Sequence, residues 1–329
     1  MKKKHFMAVS KEKVELLEMR DAFGQSLIDL GEKHEKLIFI DADLHTSTKA
    51  SMFKKRFPDR FYQAGIAEQN MFGMAAGLAF EGFIPMPSTF AVFASRRALD
   101  QIAISIAFPK LNVKIPGSYV GIPTSRAGGS HNCIEDLAIM RAMPNMMIAD
   151  PGTNRELSAV MSAAIAHKGP VYFRITRYSV PELFEDHHTF EWGKGQILRE
   201  GKDVTLFGTG IMTHRNLEAA DLLQKDHIDA EVVHLASIKP IDSDLIVQST
   251  LKTKCAVTSE NATINGGFGD AVLSVLGEFN PVPLRKIGVQ DQFIESGGIE
   301  ELFTHYKMQP ADIAKTAKES IAKKNQLKS

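Results

Sequence analysis

A single glutamate stands at the start of a long apolar segment. Glu68 follows Gly65 and comes directly before residues 69–80, which are apolar nearly all round and rich in glycine and alanine. This pattern predicts a buried helix whose small residues allow close packing. A carboxylate in that position either favours the helix N-terminus or works as an acid in a dry cleft, since burial disfavours its charged form. Position alone leaves both interpretations open.

Two phenylalanines three residues apart form the second candidate. Phe90 and Phe93 follow a predicted strand and begin a predicted helix over residues 91–107. Two rings at the carboxyl end of a strand are able to clamp a flat heterocycle. An ordinary core pair is the alternative for such a spacing.

The elements that must position these side chains alternate between strand and helix. The predicted strands are residues 37–40, 113–119, 146–149, 171–175, 204–207, 230–235, 254–258 and 284–289. This alternation predicts an α/β fold of two doubly wound domains with mostly parallel sheets and helices on both faces. Sites in such folds lie beyond the carboxyl ends of the strands. We expect an N-terminal arm (1–15), a first domain (16–180), a linker (181–198) and a second domain (199–329).

Composition argues against several functional classes. The 329 residues carry 39 basic and 39 acidic side chains, and no basic stripe suggests a nucleic-acid partner. Cys133 and Cys255 are far apart and show no disulfide framework or metal-site spacing. No apolar run approaches the roughly 20 residues that span a bilayer, and no signal peptide is recognisable. We therefore expect a cytoplasmic protein without membrane, nucleic-acid or bound-metal function of its own, and a solvated His187-His188 pair in the linker.

Several motifs in order resemble the transketolase family. Residues 65–71 are similar to its G-I/V-x-E-x-x-M segment, and residues 89–93 to its T-F-x-x-F segment. Residues 128–132 resemble its G-x-[ST]-H-Q, and residues 141–145 its R-x-x-P-N. Residues 238–242 and 260–269 resemble the transketolase C-terminal domain. The resemblance begins at about residue 16 and implies a thiamine-diphosphate-binding pyrimidine domain followed by a transketolase C-terminal domain.

The resemblance also implies roles for individual residues. Glu68 would bond the N1′ atom of thiamine diphosphate, while Phe90, Phe93 and Ile66 would pack against the aminopyrimidine ring. His131 would serve as acid and base at the sugar oxygens, since histidine titrates in the right range. Arg177 would grip the sugar phosphate with its guanidinium fork. Arg174, two residues after Tyr172 in the same strand, is either a second such group or structural.

One family feature is missing from the sequence. Transketolases bind the cofactor's diphosphate and Mg²⁺ through a G-D-G motif followed by N-N, and neither occurs here. The resemblance therefore implies the C-terminal subunit of a split transketolase. An N-terminal partner subunit would carry that motif and hold most of the Mg²⁺ site, with two copies of each chain in the assembly.

Several positions depart from the family and bear on the substrate. Tyr119 stands where transketolases carry a histidine, and Ser125-Arg126-Ala127 replaces an acidic pair. We therefore expect Tyr119 and Arg126 to contact a specialised sugar substrate, such as the branched apulose 4-phosphate or a sulfonated ketose. Arg96 also replaces an aromatic residue that follows the two phenylalanines.

Two other functions are compatible with the same plan. The β subunit of a 2-oxoacid dehydrogenase has similar domains, and a non-catalytic regulatory half-enzyme would also keep the fold. The phosphate-type Arg177 and the C-terminal motifs favour a sugar transketolase. Retention of Glu68, Phe90, Phe93 and His131 together argues against a half-enzyme that has lost its cofactor site.

Overall fold

Two α/β units follow each other along the chain in the computed structural model, which describes residues 18–185 and 187–327. The predicted N-terminal arm lies outside the described residues. The strands are β1 Leu37–Asp41, β2 Phe61–Gln63, β3 Ile84–Phe90, β4 Lys114–Ser118, β5 Met147–Ala149, β6 Val171–Ile175, β7 Gln196–Arg199, β8 Val204–Gly208, β9 Ala230–His234, β10 Ser237–Lys239, β11 Ala256–Thr263 and β12 Leu284–Val289. The α-helices are α1 Met19–Lys33, α2 Ser51–Arg56, α3 Glu68–Phe80, α4 Asp136–Ala142, α5 Asn154–Ala166, α6 Met212–Lys225, α7 Ser243–Thr253, α8 Phe268–Phe279, α9 Ile299–His305 and α10 Pro310–Gln326.

The first sheet combines strands β1 to β6 of the first unit with strand β10 of the second. Within the described residues its seven strands run in the order β10-β5-β6-β4-β3-β1-β2. All neighbours are parallel except β10, which pairs antiparallel with β5. Because β10 belongs to the second unit, this pairing joins the two units through backbone hydrogen bonds.

The second sheet begins inside the segment predicted as a linker. Its five strands in the described part of the chain run in the order β12-β11-β8-β9-β7. Strand β7 starts at Gln196 and pairs antiparallel with β9, whereas the other neighbours are parallel. The predicted strand over residues 254–258 is longer than expected, so that Glu260 and Asn261 lie within β11 rather than beyond it.

Both faces of the first sheet are covered, as the sequence predicts. Leu37 and Phe39 of β1 point into the core formed with α1, α2 and α5. Ile38 and Ile40 point to the opposite core, which includes Phe72 of α3. That second core continues into the second unit, so the two units share one apolar interior.

Helix α3 is buried on one side only. The sequence predicts burial of the whole helix, and the structure buries residues 71, 72, 75 and 76 on one side of it. Gly73 and Gly77 face open space, where an added Cβ would meet no atom within 4 Å. Phe80 is 69% exposed at the end of the same face. The expectation of burial all round is therefore wrong for this chain by itself, because no described element packs against that face.

The helix predicted over residues 91–107 has an unexpected geometry. It is π-helical over Phe93–Arg97 and Gln101–Ala107. A π-turn adds a residue to the helical turn and frequently occurs at functional sites. Among the described residues, no helix is long and apolar enough to cross a membrane.

Candidate active site

The candidate residues meet at the carboxyl edge of the first sheet. Strand register places Phe90 beside Ser118, and Ser118 beside Ile175. Because these strands are parallel, Tyr119 and Arg177 leave the sheet at the same edge as Phe90. The fold therefore gathers residues that are far apart in sequence, as predicted for this fold class.

Glu68 is a buried carboxylate with one unused oxygen. It is 1% exposed and is the first residue of α3. Its Oε1 atom accepts a hydrogen bond of 2.7 Å from Nη1 of Arg97. Its Oε2 atom is buried and has no hydrogen-bond partner among the described residues. The N-cap is Ala67, and Glu68 lies in the first turn of the helix without forming a cap hydrogen bond.

Four groups form a continuous stack beside Glu68. The rings of Phe90 and Phe93 are stacked with centroids 5.8 Å apart, and Tyr119 stacks on Phe90 at 4.1 Å. The guanidinium of Arg97 lies 4.1 Å from the Phe93 centroid. Since Arg97 also bonds Glu68, its guanidinium connects the carboxylate to the ring stack, and both Phe93 and Arg97 belong to the same π-turn.

His131 stands edge-on to the same rings. Its imidazole centroid lies 6.1 Å from that of Phe90 and 5.6 Å from that of Phe93. Its Nδ1 atom shares a 2.9 Å hydrogen bond with the Ser130 hydroxyl. The loop turns at Gly128, whose φ of 72° is in the left-handed region, where glycine has no steric penalty. The half-buried imidazole is thus placed at the rim of the aromatic cluster, where proton transfer to a bound molecule is possible.

Two arginine side chains contact Tyr119. Arg20 donates 2.9 Å from Nη1 to the Tyr119 hydroxyl and 3.2 Å to the carbonyl oxygen of Ser47. The Arg177 guanidinium lies 5.5 Å from the Tyr119 ring centroid. Arg20 also forms a close ion pair with Glu18. Sequence inspection missed Arg20 and Glu18, since only the packing of α1 against the strand ends brings them to this edge.

A cavity of about 240 Å³ opens next to these arginines. Its lining consists of Glu18, Pro123, Thr124, Ser125, Arg126, Ala127, Arg177 and Ile299. Two of the predicted substrate contacts, Arg126 and Arg177, therefore line one cavity. The third, Tyr119, contacts Arg177. The cavity has the positive charge that an anionic group requires.

Two further candidate residues take different positions. Ile66, predicted as a cofactor contact, is 75% exposed and lies two residues before Glu68. Arg174 is 1% exposed and is structural: it pairs with Asp136 at 2.8 Å and Asp150 at 3.1 Å, and donates to the carbonyl oxygen of Asn261. This network joins the two units and is not open to a substrate.

The linker histidine His188 is also buried, contrary to the prediction of a solvated pair. Its side chain is 7% exposed and stacks on Phe184 at 3.9 Å. Its Nε2 atom lies 3.7 Å from Oε1 of Glu156, whose Oε2 atom is 2.8 Å from Nε2 of His234. Burial alone would raise the pKa of Glu156, but the two imidazoles and the N–H of Gly152 lower it to about 2. These contacts tie linker, first unit and second unit together, because Glu156 belongs to α5 and His234 to β9.

The residues present fit part of thiamine diphosphate. The unused Oε2 of Glu68 can accept or share a proton at N1′, and the partly exposed Phe93 ring of the stack offers an apolar contact for an aminopyrimidine. Among residues 18–185 and 187–327, no group of three or more acidic, histidine or cysteine side chains could hold a metal ion. The fit is therefore to the pyrimidine end of the cofactor.

Two family models match the chain over most of its length. The transketolase pyrimidine-binding domain matches residues 15–182, and the transketolase C-terminal domain matches residues 193–313. These matches agree with the two α/β units of the structure.

Several known proteins similar to this chain are sections or subunits of transketolases. A putative transketolase C-terminal section of Methanocaldococcus jannaschii is 44% identical, over 93% of this chain and 96% of its own. A 6-deoxy-6-sulfo-D-fructose transketolase subunit of Clostridium sp. is 39% identical, over 93% and 95%. One of the subunits of the apulose-4-phosphate transketolase of Phocaeicola vulgatus is 32% identical, over 94% and 99%.

A solved structure has the same fold over nearly its whole length. It is a split-gene transketolase described as an inactive β4 tetramer, with 44% identity, a TM-score of 0.87, and coverage of 92% of this chain and 98% of its own. Family models, relatives and structure agree, and the family implies thiamine diphosphate as cofactor. The chain belongs to the transketolase family, as a C-terminal section of the split form.

Proposed function

We propose that this chain is the C-terminal subunit of a thiamine-diphosphate-dependent transketolase that moves a two-carbon ketol unit between sugars. The observation that carries the proposal is the buried Glu68, which keeps one carboxylate oxygen unused beside the Phe90–Phe93 stack. Thiamine diphosphate, when bound, supplies the nucleophilic carbon that takes up and releases the two-carbon unit.

The chain's own residues have separate tasks in this proposal. Glu68 holds and shares a proton at N1′ of the pyrimidine. Phe90 and Phe93 orient the ring and exclude water from it, which strengthens the hydrogen bond to Glu68. His131, at the rim of the stack, moves protons to and from the sugar oxygens.

The site needs a partner subunit to supply the cofactor's other end. The sequence lacks G-D-G and N-N, so the N-terminal subunit would bind the diphosphate and most of the Mg²⁺ shell. Exposed apolar side chains and open glycines on or next to α3 and the π-helical segment that packs against it suit such a partner; these residues are Ile66, Gly73, Gly77, Phe80, Ile104 and Phe108. That a split relative forms an inactive tetramer of one chain type supports dependence on a partner. We propose an assembly with two copies of each chain.

The substrate is proposed to be an unusual ketose with an anionic end. Tyr119 and Arg126 replace a histidine and an acidic residue of ordinary transketolases, which puts pentose phosphates at a disadvantage. The arginine-lined cavity next to Tyr119 suits a phosphate or sulfonate. The names of two relatives, one acting on a sulfo-sugar and one on apulose 4-phosphate, support this class.

Turnover by the reconstituted pair tests the proposal. This chain is purified with a partner that carries G-D-G, then supplied with thiamine diphosphate, Mg²⁺ and a panel of ketose phosphates, ketose sulfonates and pyruvate. We expect two-carbon transfer that needs both chains and is lost in Glu68→Ala, but not in the exposed control Glu278→Ala. Pyruvate decarboxylation would contradict the proposed function. Equal activity on xylulose 5-phosphate with ribose 5-phosphate would contradict the proposed substrate class.

A further inference from the structure

A carboxylate already occupies part of the arginine-lined cavity. Glu18 lines the cavity together with Arg126 and Arg177. Its Oε2 atom forms a close ion pair with Nε of Arg20, and its Oε1 atom lies 4.0 Å from Nε of Arg177. Two cations, Arg126 and Arg177, thus line the cavity together with one internal anion, and any anionic end of a substrate must bind beside that anion.

Local structure keeps Glu18 in place. It is the N-cap residue of α1, and its carbonyl oxygen accepts a hydrogen bond of 2.9 Å from the N–H of Asp21. The next residue, Met19, donates from its N–H to the carbonyl oxygen of Tyr178 at 3.3 Å. Arg20 is only two residues away and is itself held by Tyr119. A bound anion is therefore expected to meet Glu18 at its present position rather than to displace it.

We propose that Glu18 is a specificity-determining residue that lowers the preference of this cavity for a doubly charged end group over a singly charged one. The reasoning rests on the proposed function, since it takes the cavity as the site for the anionic end of the ketose. A fixed negative charge repels a dianion twice as strongly as a monoanion at the same distance. Phosphate monoesters carry close to two negative charges above pH 7, whereas a sulfonate carries one. Glu18 thus reduces the preference for phosphate over sulfonate that Arg126 and Arg177 alone would give the cavity.

Partial exposure limits the size of this effect. The side chains of Glu18, Arg20 and Arg177 are 33%, 19% and 45% exposed, so water screens their interaction. One charge at ion-pair distance in a partly solvated cavity changes binding on the order of tenfold.

Two small anions test the proposal without catalysis. Methyl phosphate and methanesulfonate have similar size, different charge at pH 8, and a methyl signal that ligand-observed NMR can follow. Their dissociation constants are measured on the full-length chain as wild type, Glu18→Gln and Glu35→Gln. Glu35 is an exposed carboxylate next to the opposite end of β1, so its removal changes net charge equally without touching the arginines.

We expect the preference for methyl phosphate over methanesulfonate to rise about tenfold in Glu18→Gln and to stay within about twofold of wild type in Glu35→Gln. An unchanged or reduced preference in a folded Glu18→Gln would overturn the proposal. Absence of binding of both anions in all three proteins would overturn it as well, because the cavity would then not be an anion site. Neither result depends on turnover, so a failure here is separate from failure of the transketolase assay, which is judged by Glu68→Ala.

Discussion

The buried Glu156 cluster gives a stability prediction with a worked magnitude. Its carboxylate lies 2.8 Å from Nε2 of His234 and accepts a hydrogen bond of 2.6 Å from the N–H of Gly152. A pKa held at about 2 instead of 4.5 corresponds to about 3 kcal/mol of stabilisation in the folded protein. We expect Glu156→Gln, which keeps the shape and removes the charge, to lower the free energy of unfolding by about 2–3 kcal/mol at pH 7.

The assay is urea unfolding followed by the fluorescence of Trp192. This is the only tryptophan and lies in the linker segment close to His188. The pH dependence has a definite sign: because folding depresses the pKa of this carboxylate, its stabilisation is present above pH 4.5 and is lost as pH falls toward 2. Wild type should lose about 1 kcal/mol through this group by pH 4, and Glu156→Gln should not.

The matched control is Glu278→Gln, at an exposed position on α8. It should change the free energy of unfolding by less than about 0.5 kcal/mol. If Glu156→Gln were as stable as this control at pH 7, the cluster would not fasten the two units, and the reasoning from its geometry would be wrong.

Three further predictions concern the partner face, the ring clamp and a buried lysine. Gly73→Leu on the open face of α3 should weaken association with the partner in analytical ultracentrifugation. The single chain should stay folded, because an added Cβ at this position meets no atom within 4 Å. Gly277→Leu, equally open on α8, is the control, and an equal loss of association in both variants would contradict the role of α3 as the partner face. Phe93→Leu should raise the Kd of the two-subunit complex for thiamine diphosphate about fivefold through loss of ring stacking. Phe293 is 75% exposed, and Phe293→Leu should leave this Kd unchanged. Equal Kd values for the two variants would mean that Phe93 does not contact the cofactor. Burial lowers the pKa of Lys114 to about 7, and since the unfolded side chain stays protonated up to about pH 10.5, wild type should gain about 2 kcal/mol of stability between pH 7 and 9. Lys114→Met should show no such gain in urea titrations, and a flat wild-type profile would mean that Lys114 remains charged when folded.

The sequence was sufficient to predict the parts of the fold that depend on local pattern. The apolar run of residues 37–40 and the small residues of α3 each predict an element that the structure contains. Their order also predicts that Glu68, Phe90 and His131 lie at one edge, since parallel strands align their carboxyl ends.

Features that depend on long-range packing could not be predicted. Strand β10 has only three residues, and its pairing with the first sheet depends on how the two units meet. The π-turns at residues 93–107 have no sequence pattern distinct from an α-helix. Arg20 and His188 reveal their contacts only after folding, because their partners Tyr119 and Glu156 are 99 and 32 residues away.

Titration of thiamine diphosphate into the two subunits is the most direct test of the central claim, that Glu68 and the phenylalanine stack form half of a shared cofactor site. Binding is measured by calorimetry in the presence of Mg²⁺, for this chain alone, the partner alone and the pair. The account predicts tight binding only by the pair, and a Kd raised at least tenfold in Glu68→Ala through loss of a buried hydrogen bond. Equally tight binding by one chain alone, or an unchanged Kd in Glu68→Ala, would contradict it.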